Sequence, residues 1–562
     1  MHGSMKLTTG KTCSNGWCKA SFEVMEDDLA FYDKASPIYQ GKKELIPPPT
    51  LCPECRNRRR MAWRNERNLY ARSCELCKKP KVSVFPTDSS MHTYCRDCLY
   101  SDGWDPMAYG KQYDFSRDFH ANFLGLLRET PVMMLFQSGI NENCDYINFA
   151  GTECRNCYLI FNSGRDEDCY YSRGLIESKD CMDMLICSGD QLCYECVNCS
   201  ESYRLLFSQN SAQCQDSAFL FNCRRCRHCF GCTNLVQKEY YLFNKPCTPE
   251  EYQAAMAQLN SSACIARSAE QLQEARLSCI HRATNNIQAE DCTGDYLFSC
   301  KNCKDSHEAK GAEDCKWLMC AKLCKDSYDL FGFAYDSELL YENVGVGMSV
   351  FAGFSFSSSA IVNSYFCFYC ENVQNCFACV SLHHKKYCIL NIQYSQEEYE
   401  ALVPKIIAAM RKNGQWGEYL PASESTFRYN ETVAQEYLPL SEEEVRKRGW
   451  RWKADDAAAP PATRIIPAAQ LPDGIDAIPD DILNWAITCE VTGKPFKVIK
   501  QELDFYRKMR LPVPHLHPDE RHKRRMALKN PMKLWQRECG KCGKGMQTTY
   551  SPDRKETVYC EE

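Results

Sequence analysis

No run of eighteen or more apolar residues occurs in this chain, so no transmembrane helix is expected. The sequence also has no GxxxxGK[ST] phosphate loop, no GxGxxG fingerprint, no HExxH pair and no GxSxG elbow. Those absences argue against the common nucleotide, dinucleotide, zinc-peptidase and serine-hydrolase chemistries, and the protein is expected to be non-enzymatic. Charge of one sign is not in excess either. Against 68 Lys and Arg stand 73 Asp and Glu, a net charge of −5, so bulk charge selects no partner and only its local distribution can. A secretory leader is not seen, and Met1-His2-Gly3-Ser4 before Met5 reads as a cloning remnant. A cytoplasmic location with reduced thiols is therefore the expectation.

What the chain has instead is cysteine, forty of them in 562 residues. Most follow a step of three. From Cys154 the step runs through Cys157, Ile160, Ser163, Asp166 and Cys169 and holds as far as Cys229, Cys232 and Leu235. Bulky members recur fifteen residues apart, at Ile160, Leu175, Leu205, Leu220 and Leu235. Such a short period predicts a β-solenoid of about 15 residues per coil, with a narrow interior of small or slender side chains. Cys193-x2-Cys196 and the run Cys223 to Cys232 resemble metal knuckles in isolation. Ser and Leu share their step, however, so core filling is preferred over metal or cluster ligation.

The pattern returns from Leu297 to Leu330 and, in another frame, from Ser349 to Leu382, so a bulge is expected between 331 and 348. Phe230-Gly-Cys-Thr-Asn-Leu235 and Phe377-Ala-Cys-Val-Ser-Leu382 close the two segments, 147 residues apart. Each is followed by a helix start, Thr248-Pro249 and Ser395-Gln-Glu397, that would cover the open end. The fold is thus expected to be mixed and mainly β, with two duplicated solenoid segments, helical caps and terminal zinc-ribbon modules. The expected divisions are 5–100 (tandem ribbons with a basic helix), 101–143 (a helical connector with Ser116 as cap), 144–290 and 291–413 (solenoid segments), 414–485 (a linker region, with 455–467 as its Ala/Pro-rich part) and 486–562 (a degenerate second copy of the ribbon module).

Metal ligation is expected at the ends. Cys74-x2-Cys77 and Cys95-x2-Cys98 have zinc-ribbon spacing, and Cys13, Cys18, Cys52 and Cys55 form a looser set. Four thiolates close a zinc site and leave no position for substrate, so the two expected zinc ions are structural. Between the sets lies an arginine-rich helix. Arg58, Arg59, Arg60, Arg64 and Arg67 could face phosphate, with Trp63 and Tyr70 available for stacking; a solvated face paired to local acids is the plainer reading. Adding 465 maps Arg59-Arg60-Met61-Ala62 onto Arg524-Arg525-Met526-Ala527, and Cys74, Cys77 and Cys95 onto Cys539, Cys542 and Cys560. Lys529 extends that second basic helix. His517 and Glu520 replace Cys52 and Cys55. The counterpart of Cys98 falls one position past Glu562, so a third zinc there would need a borrowed ligand or a residue beyond this sequence. Cys489 with His515, His517 or His522 is a weaker candidate set.

Cys52-Pro-Glu-Cys55 with its arginine helix, the Cys-Phe-x-Cys endings, Asp481-Ile-Leu-Asn-Trp-Ala486, and Gln547 to Arg554 followed by Val558-Tyr-Cys560 occur together. In this combination the chain resembles an uncharacterised cysteine-rich, multi-zinc-ribbon family of candidate-phyla bacteria. The resemblance implies a bacterial cytoplasmic protein and no particular activity. The expected function is nucleic-acid binding, to RNA or DNA, through two basic helices held apart by a stiff spacer. The alternative is a scaffold that binds a protein partner on the solenoid flank, with zinc purely structural. No membrane partner is expected.

Overall fold

The computed structural model describes residues 7–150, 153–334, 337–454 and 460–561. The expected cloning remnant Met1–Ser4 and residues 455–459 of the expected linker lie outside them. The fold is mixed α/β with many short strands and cysteine clusters at both ends. Among the described residues no helix is long and apolar enough to cross a membrane.

The centre consists of parallel ladders. Arg155 pairs with Glu167, Tyr158 with Tyr170 and Phe161 with Arg173, and the same offset continues through Tyr203–Gln215–Arg227–Glu239. Each of these steps is twelve residues, not the fifteen expected from the sequence. Four inward positions make one layer, for example Cys154, Cys157, Ile160 and Ser163, with Asp166, Cys169, Ser172 and Leu175 in the next. The fifteen-residue spacing of bulky side chains is then twelve plus three. Each large residue moves to the neighbouring column in the next layer, so Ile160 and Leu175 do not stack, nor do Leu205, Leu220 and Leu235. A narrow interior holds one large side chain per layer, and a diagonal stripe satisfies that limit.

The three-residue step has its own cause. The residue before each inward position turns the chain through a left-handed backbone conformation, with φ of 53° at Asn156, 52° at Leu159, 52° at Asn162 and 56° at Arg165. This conformation costs an ordinary residue about 1–2 kcal/mol, and Asn, Asp and Gly adopt it most readily. Asn156, Asn162, Asp168, Gly174, Asp180 and Gly189 sit at these corners. Inside the corner an amide points into the core and needs an acceptor. The Leu175 N–H donates to Ser163 Oγ (3.1 Å), Met184 N–H to Ser172 Oγ (3.0 Å) and Leu205 N–H to Cys193 Sγ (3.4 Å), always from one layer to the next. The acceptor's own proton goes to the carbonyl two residues back, as from Ser172 Oγ to Tyr170 O (2.8 Å) and Cys193 Sγ to Gln191 O (3.3 Å). Serine and cysteine fill the interior because they are small and satisfy buried amides at once.

The first array runs from Gln137 to Leu242 and the second from Ile287 to Gln393. In the second, the offset is twelve at Met319–Phe331 and thirteen at Ser327–Leu340. The bulge expected between 331 and 348 is thus a single extra residue; positions 335 and 336 lie outside the described residues. Both arrays end in a hairpin and a capped helix. Thr248 and Ser395 each accept from the amide three residues on, and Glu251 and Glu398 complete the capping boxes of helices Pro249–Ala257 and Gln396–Lys412. Asn244 and Asn391, 147 apart, bond back to the main chain of Thr233 and Val380.

Other expectations are corrected. The connector helix Phe119–Glu129 is capped by Asp118, which accepts from the Ala121 N–H, and not by Ser116. Part of the expected linker is a strand, Arg464–Pro467, parallel to Trp485–Thr488, because Ile466 buries beneath it. Residues 416–445 are not loose: Trp416, Tyr419, Phe427, Tyr429, Val433 and Val445 are buried in the largest apolar cluster, against the arginine helix. Ser441 caps a short helix, Glu442–Lys447, by accepting from the Glu444 N–H.

Candidate metal centres and the docking of their modules

Three groups of thiols converge. Cys13, Cys18, Cys52 and Cys55 form one, Cys74, Cys77, Cys95 and Cys98 a second, and Cys539, Cys542 and Cys560 a third, with all sulfurs in each group within 4.8 Å of one another. Sulfur pairs stand at 3.6 Å (Cys18–Cys52), 3.9 Å (Cys77–Cys95) and 3.6 Å (Cys542–Cys560). A disulfide needs about 2.05 Å. Four sulfurs each about 2.3 Å from a central ion lie roughly 3.8 Å apart, which is the spacing seen. These clusters could hold metal ions.

Local structure prepares the thiolate. In each cluster the first cysteine accepts a main-chain N–H from a later knuckle: Cys52 to Cys13, Cys95 to Cys74 and Cys560 to Cys539, all at 3.3 Å. The neighbouring Cys55 thiol pulls Cys52 down to about 5. Burial opposes ionisation of Cys74, but amides from Cys95, Cys77 and Leu76 outweigh it and bring the thiol to about 7. Cys539 falls to about 6, chiefly through the Cys560 amide. A lowered thiol pKa favours metal binding, but it is confined to one thiol in each of the first two clusters: the Cys52 thiol pushes Cys55 up, and burial pushes Cys18, Cys95 and Cys98 up.

The duplication expected from sequence extends to strand register. Tyr70 pairs with Ser83 and Ser73 with Pro80; Trp535 pairs with Thr548 and Glu538 with Gly545, each 465 residues on. The third strand of each ribbon runs parallel to the segment that leads into an array, Thr93–Tyr94 on Val132–Met133 and Thr557–Tyr559 on Ile280–Arg282. The third cluster shows three ligands among the described residues. Cys489 joins no such group: His515 pairs with Glu490 (2.7 Å), and His517 Nδ1 caps its helix by accepting from the Asp519 N–H.

The basic residues behave otherwise than a solvent-facing patch would. Helix Pro53–Met61 turns its arginines into the protein, where Arg56 and Arg60 share the carboxylate of Asp329 at 2.8 and 3.2 Å. Arg59 meets Glu342 (2.5 Å) and Glu418 (2.8 Å). Arg58 donates to Tyr429 Oη and to Leu438 O, both at 2.8 Å, Arg64 pairs with Glu66 (2.8 Å), and Arg67 lies over the Phe161 ring and near Asp519 (3.4 Å). In the second copy, helix Pro518–Ala527, Arg521 and Arg525 share Asp183 at 2.5 and 2.9 Å, Arg525 reaches Glu195 (3.1 Å), and Lys529 pairs with Glu308. Arg524 differs: its side chain is 59% exposed. Burial pushes Glu195 and Glu342 up to about 7, against the pull of the adjacent guanidinium groups.

These contacts are reciprocal. Arg56 and Arg60 become Arg521 and Arg525 on adding 465, while Asp183 and Glu195 become Asp329 and Glu342 on adding 146 and 147. Tyr32 packs edge-on against Tyr341, and Tyr506 against Tyr194, which lies 147 residues before Tyr341. Each module therefore starts one array with its ribbon strand and docks on the other array with its helix. Reading the sequence missed Arg56, Arg521 and their four carboxylates. The two offsets, taken together rather than separately, were the available signal. Among the described central cysteines, no group of three draws together as the terminal ones do; the inward ones give their protons to main-chain carbonyls, as Cys193 does to Gln191 O. In comparison with known proteins, the chain matches no family model and no curated protein.

Proposed function

We propose that this protein is a zinc-stapled scaffold: two closed β-solenoid segments cross-braced by the terminal metal modules, with the solenoid flanks left to bind a protein partner. The observation that carries this reading is the burial of Arg56 and Arg60 on Asp329 and of Arg521 and Arg525 on Asp183, with side chains 0–2% exposed. A helix committed in this way is a docking element. Zinc is favoured because four thiolates at tetrahedral spacing suit a redox-inert ion that takes four ligands without an open position. The parallel twelve-residue registers and the left-handed corners support closure of each array into a solenoid. A cytoplasmic setting suits reduced thiols.

Nucleic-acid binding has weaker support. Counterion release requires basic side chains that can reach phosphate, and most of those expected to do so are engaged in buried pairs, with Arg524 the exception. The test is a salt series with generic single- and double-stranded RNA and DNA, alongside zinc analysis and affinity capture with the intact chain. The scaffold reading predicts at least two zinc ions per chain, negligible nucleic-acid binding at about 150 mM salt, and captured protein that is lost when flank residues are changed. Tight, steeply salt-dependent binding to nucleic acid that is abolished by Arg524→Ala would reverse the order of the two readings.

A further inference from the structure

A cavity of about 180 Å³ opens where the second cysteine cluster, the start of the first array and the later layers of the second array meet. Met133, Phe136 and Tyr369 form its apolar side, and a smaller hollow of about 10 Å³ shares those three residues. Arg96 and Glu371 bring opposite charges to the same cavity. Ser357 also lines it; the residue is 3% exposed, and its Oγ is sealed in and has no hydrogen-bond partner. Glu371 is fixed from behind: Tyr100 Oη donates to it at 2.9 Å, and His383 Nδ1 lies 3.9 Å away, its ring against that of Tyr100.

The other half of the duplication treats the matching place differently. Asn210 is the residue 147 before Ser357, and Tyr296 Oη donates to its Oδ1 at 2.9 Å. Tyr296 follows Asp295 as Phe149 follows Asn148, the two residues that accept from the chain entering each array. Phe149 has no hydroxyl with which to reach Ser357. One copy is closed by its own hydrogen bond, and the other has this cavity at the matching place.

We propose that this cavity binds a small zwitterion with an apolar side chain, a free hydrophobic α-amino acid. Arg96 takes the carboxylate, Glu371 takes the ammonium, and Met133, Phe136 and Tyr369 pack the side chain. The cavity is smaller than the ~300–1,000 Å³ of drug-sized sites, which restricts the occupant to that scale.

The test uses the intact, metal-loaded chain and calorimetry with L-phenylalanine, 2-phenylethylamine (no carboxylate) and 3-phenylpropanoate (no ammonium). L-Phenylalanine should bind at least about tenfold more tightly than either analogue, the value of one charge-assisted contact. Arg96→Gln should abolish the preference over phenylethylamine, and Glu371→Gln the preference over phenylpropanoate, with metal content and melting temperature unchanged. Absence of heat at about 10 mM L-phenylalanine, above millimolar Kd, overturns the proposal. So does equal affinity for the three compounds, or binding indifferent to Arg96→Gln and Glu371→Gln.

Discussion

The thiols at the two ends of the chain and those in its middle have the same spacing in places and opposite surroundings. Cys74 and Cys77 stand beside Cys95 and Cys98 because a hairpin folds one knuckle onto another, and amides point at the sulfurs. Cys193 and Cys196 lie at successive corners of one layer, where each sulfur gives its proton to a carbonyl, at 3.3 and 3.4 Å. A CxxC pair is therefore not a metal site in itself. What matters is whether the turn between the cysteines brings the sulfurs together or sends each along a separate wall.

The largest effect should come from the ends. Cys74→Ser, or chelation of the intact protein, should unfold the adjoining module, because ion binding and folding share one free energy of order 10 kcal/mol in small zinc domains. Loss of structure by circular dichroism, with new alkylation of Cys77, Cys98 and Cys542 but not of Cys193 or Cys196, would sharpen the contrast. Equal labelling of both populations would break it. Next in size is the cross-bracing. Asp329→Ala and Asp183→Ala each leave two guanidinium groups buried without their shared partner, and each should cost about 3–5 kcal/mol in denaturant melts. Because the contacts are reciprocal, the two losses should match; a large effect at one position only would mean that the modules are not equivalent.

A smaller effect distinguishes carboxylate from thiol inside the array. Burial pushes Asp190, whose Oδ1 accepts from the Ser202 N–H, up to about 7. Its folded pKa exceeds the unfolded one, near 4, so its contribution is fully present below about pH 4 and is lost as pH rises through 7. Asp190→Asn should therefore stabilise the protein at pH 8, on the order of 4 kcal/mol, and change little at pH 4. A gain independent of pH would show that the carboxyl is not protonated in the fold. The smallest change is Cys196→Ser. Serine already occupies that column at Ser172 and Ser208 and bonds in the same way, so the cost should stay within about 1 kcal/mol. If that exchange instead unfolds the array, central sulfur does more than fill space and satisfy main-chain groups.

Much of this was legible in the sequence, and the failures are specific. Inward positions could be read because only slender side chains fit, so Cys, Ser and Leu mark them. The layer length could not be read from bulky residues alone, since side chains that avoid stacking move a column with each layer and lengthen the apparent period from twelve to fifteen. Asn, Asp and Gly at the corners, one place before each inward residue, were a second and independent sign of the step. The terminal cysteines were recognised because ligand spacing along a hairpin is short-range. The arginines were misjudged because the exposure of a charged helix face depends on what lies across from it, and Asp329 is 273 residues from Arg56 in the chain.

By itself, the amino-acid order determined the three-residue step, the slender interior, the pairing of knuckles at each end and the duplication of both module and array. All of these depend on local geometry: a corner, a hairpin, a cap. Only the tertiary structure decided how many corners make a layer and that each module docks on the array its own ribbon does not begin. Those outcomes depend on buried charges finding partners hundreds of residues away, and a carboxylate's value to a distant guanidinium is set by the low-dielectric contact that folding creates.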